Sequence, residues 1–221
     1  MSVRISAFAW VPPFAQGLVR DLRVRWALEE AGLHYEERQL RLGDNAAPDY
    51  LALQPFGQIP AYEEDGLTLF ESGAIVLHIA ERCETLLPSD PKGGSRAKTW
   101  MFAALNTIEP PVMFLNQLQQ MNSPEVSALQ KPVTEAVQQR LRGLANWLND
   151  RDYLEDQFTA GDLLMTTVLR ILRTTDLVST LPALAAYQAR CEARPAFQTA
   201  LGAQMATFQN NQPAPQRPAH T

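Results

Sequence analysis

Residues suited to metal or redox chemistry are scarce in this chain. Its 221 residues include two cysteines and three histidines. Cys83 and Cys191 are far apart and form no CxxC motif, so we expect no disulfide scaffold and no nucleophilic dithiol. His34, His78 and His220 are not spaced as metal ligands. We therefore predict no bound metal and, by default, a cytoplasmic protein.

Long apolar runs and an excess of positive charge are also absent. No apolar run approaches the roughly 18 to 20 residues that a membrane-spanning helix needs. The formal net charge of −5 argues against a nucleic-acid partner, because neutralising phosphates needs clustered lysine and arginine. The apolar start of the chain meets Pro12-Pro13 without a small-residue cleavage site, so we predict no signal peptide. Neither a membrane nor a nucleic acid is expected as a partner.

The first part of the chain alternates strand and helix patterns. A short apolar run at 3–10 predicts a buried strand, and the wide apolar face of 20–31 predicts a helix packed on a sheet. A charged stretch at 34–40 predicts an edge strand. A hairpin around 64–66 and a helix over 71–84 complete a small mixed sheet covered by helices.

Strand patterns stop at a segment rich in proline and glycine. Helical periodicity follows over 95–121, interrupted by Pro110-Pro111, and it continues to about Phe208. The end of the chain is rich in Pro, Gln and Asn, which predicts disorder. The predicted division is a mixed α/β domain at 1–85, a linker at 86–94, an all-helical domain at 95–208 and a tail at 209–221.

Two short stretches carry the features of a ligand site. The stretch 57–62 resembles a loop that leads the backbone into a strand, and 69–75 a strand that runs into a helix. Together they present a main-chain edge, a carboxylate and a hydroxyl around one cleft. This combination suits a small ligand that has both a peptide backbone and an amino-acid head group.

These stretches resemble those of cytosolic glutathione transferases of the bacterial type. Gln58-Ile59-Pro60 is similar to the family's cis-proline loop, and Glu71-Ser72-Gly73-Ala74-Ile75 to its Glu-Ser-x-Ala-Ile motif. Thr159-Ala160-Gly161-Asp162 resembles the capping box of its helical domain, and 22–30 resembles its first helix. The resemblance implies a thioredoxin-like N-terminal domain that binds glutathione as co-substrate. It also implies a C-terminal helical bundle domain that shapes a pocket for an electrophile.

The resemblance implies specific glutathione contacts. If the Ile59–Pro60 bond is cis, the Ile59 backbone pairs with the cysteinyl part of glutathione like an added strand. Ser72 opens a helix and suits the γ-glutamyl carboxylate, and Glu71 suits the ammonium group. The alternatives are an ordinary trans-proline turn and a Ser72 that only caps its helix. The predicted glutathione-binding residues are Gln58, Ile59, Pro60, Glu71 and Ser72.

The loop after the first strand departs from the family pattern. Members usually place Tyr, Ser or Cys there to lower the pKa of the glutathione thiol. No Ser, Thr, Tyr or Cys occurs at 7–34, and Trp10-Val11-Pro12-Pro13-Phe14 stands where Ser-Pro-Phe is expected. An amide, an indole N–H or the charge of Arg20 or Arg23 could replace the hydroxyl, although each side chain also suits a core or solvent-facing position. The catalytic candidates are Gln16, Trp10 and Arg20.

Competing functions follow from this departure. The first is a transferase that joins the glutathione thiolate to a small hydrophobic electrophile, with peroxide reduction or isomerisation open at the same site. The second is a non-catalytic glutathione-binding or protein-interaction module, which the missing hydroxyl favours; a thioredoxin-type oxidoreductase ranks third. The resemblance also implies a homodimer. The candidates for the electrophile pocket, which also suit a plain helical core, are Met101, Phe102, Leu105, Asn106, Met113 and Phe114.

Overall fold

The computed structural model describes residues 2–121 and 124–213, without the side chains of Pro124, Glu125 and Ser127. Strands occupy the first part and helices the second, which confirms the predicted fold class. Within these ranges, no helix is both long and apolar enough to cross a membrane. The elements are β1 Val3–Phe8, α1 Asp21–Glu30, β2 Tyr35–Leu40, a 3-10 turn Asp44–Ala46, α2 Pro48–Leu51, β3 Ala61–Glu64, β4 Leu67–Phe70, α3 Ser72–Ala80, α4 Pro91–Phe102, a π-helix Ala103–Ile108, α5 Glu109–Gln120, α6 Pro124–Leu148, α7 Ala160–Leu169, a 3-10 turn Arg170–Leu172, α8 Pro182–Glu192 and α9 Pro195–Asn210.

The four described strands form one mixed sheet in the order β2-β1-β3-β4. Strand β1 runs parallel to β2, which lies at the edge as predicted, and antiparallel to β3. Alternate residues of β1, including Val3 and Ile5, are buried, and Ile5 pairs with the buried Tyr62 of β3. The apolar β1 thus supplies the centre of the sheet.

The strand directions bring three chain segments to one edge of the sheet. Because β1 and β3 are antiparallel, the start of β3 lies beside the end of β1, and the Ala61 N–H donates to Ser6 Oγ at 2.6 Å. Ala61 also pairs with Phe70 at the end of β4. The loop after β1, the Ile59–Pro60 bond and the start of α3 therefore meet at this edge, although they are far apart in sequence.

Helix α7 forms the centre of the helical part, as its apolar sequence predicts. All residues of Ala160–Leu169 are buried. The predicted capping box is confirmed: the Thr159 N–H donates to Asp162 Oδ2 at 2.8 Å, and the Gly161 N–H donates to Thr159 Oγ1 at 3.2 Å. The sequence is apolar nearly all round over 163–177, which predicts a central helix of that length. The observed helix ends earlier, because the chain tightens into a 3-10 turn after Leu169.

The boundary between the two parts differs from the predicted linker. Helix α4 begins at Pro91, so residues 91–94 of the predicted 86–94 linker are helical. The Asp90 carboxylate accepts the N–H groups of Lys92 and Gly93, which caps a helix that its glycines alone would disfavour. Helix α9 extends to Asn210, and residues 214–221 of the predicted tail lie outside the described residues. The division into domains stays a prediction.

A π-helix joins α4 to α5. Pro110 and Pro111 have no N–H, so the carbonyls of Asn106 and Thr107 lose their usual α-helical donors. The chain widens over Ala103–Ile108 instead of ending the helix. Widened turns of this kind often occur at functional sites, and this one contributes Asn106 to the cleft described next.

Candidate functional site: a cleft between the two parts of the chain

Two adjoining cavities of about 840 and 390 Å³ form one cleft. The sheet edge supplies one wall, and α5 with the chain around Arg173 supplies another. The volume of the larger cavity suits a drug-sized molecule. The residues that line both cavities are Arg20, Arg23, Gln58, Ile59, Glu109 and Met113.

The smaller cavity contains every residue predicted to bind glutathione, namely Gln58, Ile59, Pro60, Glu71 and Ser72. The Ile59–Pro60 bond is cis, as predicted. Among the described residues, no group hydrogen-bonds to the Ile59 backbone. Its N–H and C=O are therefore available to an extended ligand.

The start of α3 presents a hydroxyl and a carboxylate to this cavity. Glu71 precedes the helix with a φ of 69°, and no side chain caps the first turn. The alternative that Ser72 only caps its helix is therefore wrong. Ser72 is buried, and its Oγ accepts a hydrogen bond from Arg23 Nη1 at 3.2 Å. Its hydroxyl hydrogen and the free N–H groups of the first turn suit an anion.

A cluster of two arginines and one glutamate, here called the cleft network, lies between the cavities. Glu109 Oε1 accepts from Arg20 Nε at 3.1 Å and Nη2 at 2.8 Å, and it forms an ion pair with Arg23 Nη2 at 3.0 Å. Burial raises the pKa of Glu109, but the charges of Arg23 and Arg20 outweigh burial and hold that pKa below its ordinary value. Two guanidinium groups against one carboxylate leave a net positive charge in this cluster.

The two arginines differ in their freedom. Arg23 is 4% exposed, and it also donates to Ser72 and, at 3.1 Å, to Thr167 Oγ1 of α7. The side chain of Arg20 is 40% exposed and pairs only with Glu109 among the described residues. Arg23 thus holds the two parts of the chain and Ser72 in place, whereas Arg20 can meet a ligand.

Of the three catalytic candidates, the structure brings only Arg20 to the cleft. It lies at the N-cap of α1 and lines both cavities. Gln16 and Trp10 line neither cavity. The Gln16 amide donates instead to the Val11 carbonyl at 3.0 Å, so the loop satisfies it locally.

The larger cavity has a mainly apolar surface. Of the candidates for an electrophile pocket, Met113 lines this cavity, while Leu105 and Asn106 line the smaller one. Ser72 and Thr174 are the only hydroxyl-bearing residues among those described as lining the cleft, and no Tyr, Cys or His is among them. Nowhere in 2–121 and 124–213 do three His, Cys, Asp or Glu gather as a metal site. The apolar lining residues are Phe8, Phe14, Ala15, Leu18, Val19, Ile59, Met113 and Ile171.

Several polar lining residues were not predicted from the sequence, and three of them are Gln54, Glu109 and Arg173. Gln54 is buried, its Oε1 accepts the Phe56 N–H at 2.7 Å, and the residue lines the smaller cavity. Glu109 immediately precedes Pro110-Pro111, and an acidic residue in the first turn of a helix is the signal that could have identified it. Arg173 follows the 3-10 turn after α7, and no local sequence signal identifies it.

Comparisons with known proteins agree with this architecture. The family model for the glutathione S-transferase N-terminal domain matches residues 16–81, and the model for the C-terminal domain matches residues 106–195. Glutathione S-transferase 4 of Zea mays is 29% identical over 217 residues, which covers 87% of this chain and 89% of that protein. The glutathione S-transferase-like protein gedE of Aspergillus terreus is 39% identical over 95 residues, 40% of this chain and 42% of that protein.

Two solved structures are similar over most of their length. The glutathione transferase F7 of Populus trichocarpa has a TM-score of 0.79 and 26% identity, covering 92% of this chain and 99% of that one. A glutathione transferase of Burkholderia graminis, solved with two glutathione molecules per subunit, has a TM-score of 0.78 and 25% identity. That match covers 90% of this chain and 87% of the Burkholderia chain.

Proposed function

Because the chain belongs to the glutathione S-transferase family, we propose that its cleft joins the glutathione thiolate to a small hydrophobic electrophile. Family membership supports glutathione binding and transferase chemistry in general. The observation that carries the proposal is the meeting of Gln58, Ile59, Pro60, Glu71 and Ser72 in one polar cavity. A larger apolar cavity adjoins it, so a bound thiol and a bound electrophile would be neighbours.

The proposed contacts divide glutathione into three parts. The cysteinyl backbone pairs with the Ile59 N–H and C=O. The γ-glutamyl carboxylate takes the Ser72 hydroxyl and the N–H groups at the start of α3, where the helix dipole favours an anion. The ammonium group pairs with Glu71, and the side-chain amides of Gln54 and Gln58 donate to the remaining carbonyl and carboxylate oxygens. No metal takes part in this scheme.

In the proposed mechanism, a positive charge replaces the missing hydroxyl. Arg20 is the accessible member of the cleft network and lies at the N-cap of α1. A nearby cation favours the thiolate over the thiol and so lowers the thiol pKa. The thiol proton leaves to solvent, and a sulfur lone pair then forms the new bond to the electrophilic carbon. In a substitution the bond to the leaving group breaks and that group departs with its electron pair; in an addition the π electron pair moves to the neighbouring atom and takes a proton from solvent. Gln16 and Trp10 are weaker candidates because neither lines the cleft.

The non-catalytic module is the alternative. Its support is the absence of Ser, Thr, Tyr and Cys from 7–34. The open apolar cavity of about 840 Å³ and the accessible guanidinium beside it favour the enzyme. Peroxide reduction or isomerisation would use the same thiolate, and product analysis distinguishes these reactions from conjugation.

The test combines glutathione binding by calorimetry with the ultraviolet absorbance of the bound thiolate as a function of pH. We expect a thiol pKa below that of free glutathione. In Arg20→Gln the thiol pKa should rise by about one unit or more, and Arg20→Lys should retain most of the effect. Gln16→Ala is the matched control from the same loop and should leave the thiol pKa unchanged.

Two outcomes would contradict the transferase. Binding with an unshifted thiol pKa in the wild type would leave a glutathione-binding module. No binding at millimolar glutathione would contradict both the transferase and the glutathione-binding module, and the cleft would then need another ligand. A large shift in Gln16→Ala with none in Arg20→Gln would assign the activation to the loop amide instead.

We also propose that the chain forms a homodimer through exposed aromatic side chains. Phe56 is 69% exposed and makes an edge contact with Phe70 at 6.0 Å between ring centroids. Phe102 of α4 is 60% exposed. Exposed apolar surface of this kind is typical of an interface. Light scattering should give twice the chain mass of 24.6 kDa, and Phe56→Ser should shift the protein towards the monomer.

A further inference from the structure

Arg173 places an unneutralised cation on the wall of the larger cavity. Its Nη1 donates to the Gln16 carbonyl at 2.8 Å, and its Nη2 donates to the Phe14 carbonyl at 2.9 Å. Both acceptors are neutral. In the part of the chain that the structure describes, Arg173 forms no ion pair, whereas Arg170 pairs with Glu192 at 3.0 Å.

The two carbonyls orient the guanidinium of Arg173 and leave it capable of further binding. A guanidinium has five N–H donors in a fixed plane, and two of them are used here. The remaining donors include the Nε–H. A carboxylate accepts two parallel N–H groups from such a fork with favourable geometry. Because the loop fixes its orientation, little side-chain freedom is lost on binding.

The surroundings select for an anion with an apolar body. The larger cavity is lined by Phe8, Leu18 and Ile171, and also by amide side chains such as that of Asn116. Glu109 is the only acidic side chain among the described residues that line this cavity, and it is engaged by Arg20 and Arg23. The lining of this cavity therefore has no unpaired carboxylate that would repel a bound anion.

We propose that the electrophile of this enzyme carries a carboxylate and that Arg173 receives it; this inference rests on the proposed transferase function. A chloronitrobenzoate is a suitable probe. The glutathione sulfur forms a bond to the ring carbon that bears chlorine, the carbon–chlorine bond breaks and chloride leaves. The thiol proton passes to solvent, and the carboxylate stays bound to Arg173 throughout.

The test compares 4-chloro-3,5-dinitrobenzoate with its methyl ester, with each rate divided by its uncatalysed rate. The wild type should prefer the acid. Arg173→Gln should lower kcat/KM for the acid by roughly 10- to 100-fold, chiefly through KM, because a hydrogen-bonded charge is lost. The ester should change less than about threefold, since it makes no charged contact. Arg173→Lys should retain most of the preference. Arg140→Gln is the control, because Arg140 also donates to a backbone carbonyl but lines neither cavity.

An equal loss for acid and ester in Arg173→Gln would overturn the proposal, because Arg173 would then only hold the loop. A wild type that prefers the ester would overturn it as well. A second source of carboxylate is another glutathione molecule. Calorimetry could find two glutathione molecules per wild-type chain and one per Arg173→Gln chain. Arg173 would then bind the second glutathione and not the electrophile, which would overturn the proposal.

A binding experiment separates this inference from the failure of the transferase. If the wild type converts neither probe, calorimetry with S-(4-carboxybenzyl)glutathione and its methyl ester tests Arg173 without turnover. Tighter binding of the acid, lost in Arg173→Gln and kept in Arg173→Lys, would support the carboxylate site. Equal binding of acid and ester in the wild type would overturn it.

Discussion

Helix α1 has charged clusters on two opposite faces. The cleft network joins Arg20 and Arg23 to Glu109 of α5 and borders the cavities. A second cluster, here called the buried network, joins Arg25 to Asp21 and Glu37. Arg23 and Arg25 are two residues apart, which turns them by roughly 200° around the helix axis.

The buried network holds the last helix against the first. Arg25 is 0% exposed, and its Nε donates to Asp21 Oδ2 at 2.7 Å. From α9, Gln204 Nε2 donates to Asp21 Oδ1 at 2.8 Å, and the Thr207 hydroxyl donates to Glu37 Oε2 at 2.9 Å. Two carboxylates share one guanidinium here, and side chains of α9 donate to both carboxylates. Among the described residues, Arg25 Nη2 and Gln204 Oε1 have no hydrogen-bond partner.

The difference between the networks shows what makes a charged cluster functional. In both networks, arginines of α1 or its N-cap pair with carboxylates. The buried network has an excess of carboxylates and is closed by side chains, so its role is to position α9. The cleft network has an excess of guanidinium groups and borders an open cavity, so it can stabilise an anionic ligand. Charge ratio and accessibility distinguish the two, and residue type does not.

Breaking the buried network should have the largest effect. Arg25→Met leaves Asp21 buried without its cation, and we expect a loss of about 3–5 kcal/mol in the free energy of unfolding, measured with urea. Adding Asp21→Asn should recover part of the loss because the unpaired charge is removed. Arg4→Met is the control: its ion pair with Glu36 is exposed, so the loss should stay below about 1 kcal/mol. Equal losses in Arg4→Met and Arg25→Met would contradict the comparison.

A smaller loss of stability with a larger loss of binding is expected in the cleft network. Arg23→Gln removes the donor to Ser72 and the ion pair with Glu109. The free energy of unfolding should fall by about 2 kcal/mol, and glutathione should bind roughly tenfold more weakly, as lost charged hydrogen bonds suggest. Thr167→Val is the matched control, since it removes one tether and no charge. If Arg23→Gln bound glutathione with unchanged affinity, Arg23 of the cleft network would not contribute to glutathione binding.

Glu109 of the cleft network and Asp21 of the buried network should respond to acid with opposite signs, in the smallest of the three effects. The pKa of Glu109 lies below its ordinary value of 4.5, so its stabilising charge is lost as pH falls through the lowered folded-state pKa. The stability difference between wild type and Glu109→Gln should therefore shrink below about pH 4.5.

Burial raises the pKa of Asp21 above 3.8, against the effect of Arg25. The free energy of unfolding of the wild type should therefore rise relative to that of Asp21→Asn as the pH falls from the raised pKa towards 3.8. Urea midpoints at several pH values measure both stability differences from the wild type. If the differences for Glu109→Gln and Asp21→Asn changed with pH in the same direction, the predicted opposite signs would be refuted.

Much of the fold and part of the site could be predicted because local rules determine them. Three predicted features each depend on neighbouring residues: the apolar run of β1, the capping box at Thr159 and Asp162, and the segments around Ile59–Pro60 and Ser72. The sheet edge then brings the last two segments together. Local rules also explain the error at α7, because the apolar run of its sequence continues past Leu169 into a turn of different geometry.

The remainder of the site depends on packing between distant segments. Glu109 contacts Arg20 across 89 positions, and Arg173 contacts the Gln16 carbonyl across 157. No spacing rule encodes such contacts, because they depend on how helices of the second part settle on the first. Gln16 shows the converse: its amide is satisfied by Val11, five positions away, through a loop shape that hydrophobic periodicity does not specify.

The position of Glu109 has a consequence for how such proteins diversify. The two arginines of the cleft network lie in the part of the chain that contains the strands, and their carboxylate lies at the start of α5 in the helical part. A hybrid gene that took these two parts from different lineages would inherit the arginines without this counter-charge unless both parents encoded it. If the cleft network lowers the pKa of a bound thiol as proposed, neither part transmits that property alone. Exchanging the helical part would then change the reactivity of the sulfur along with the lining of the larger cavity.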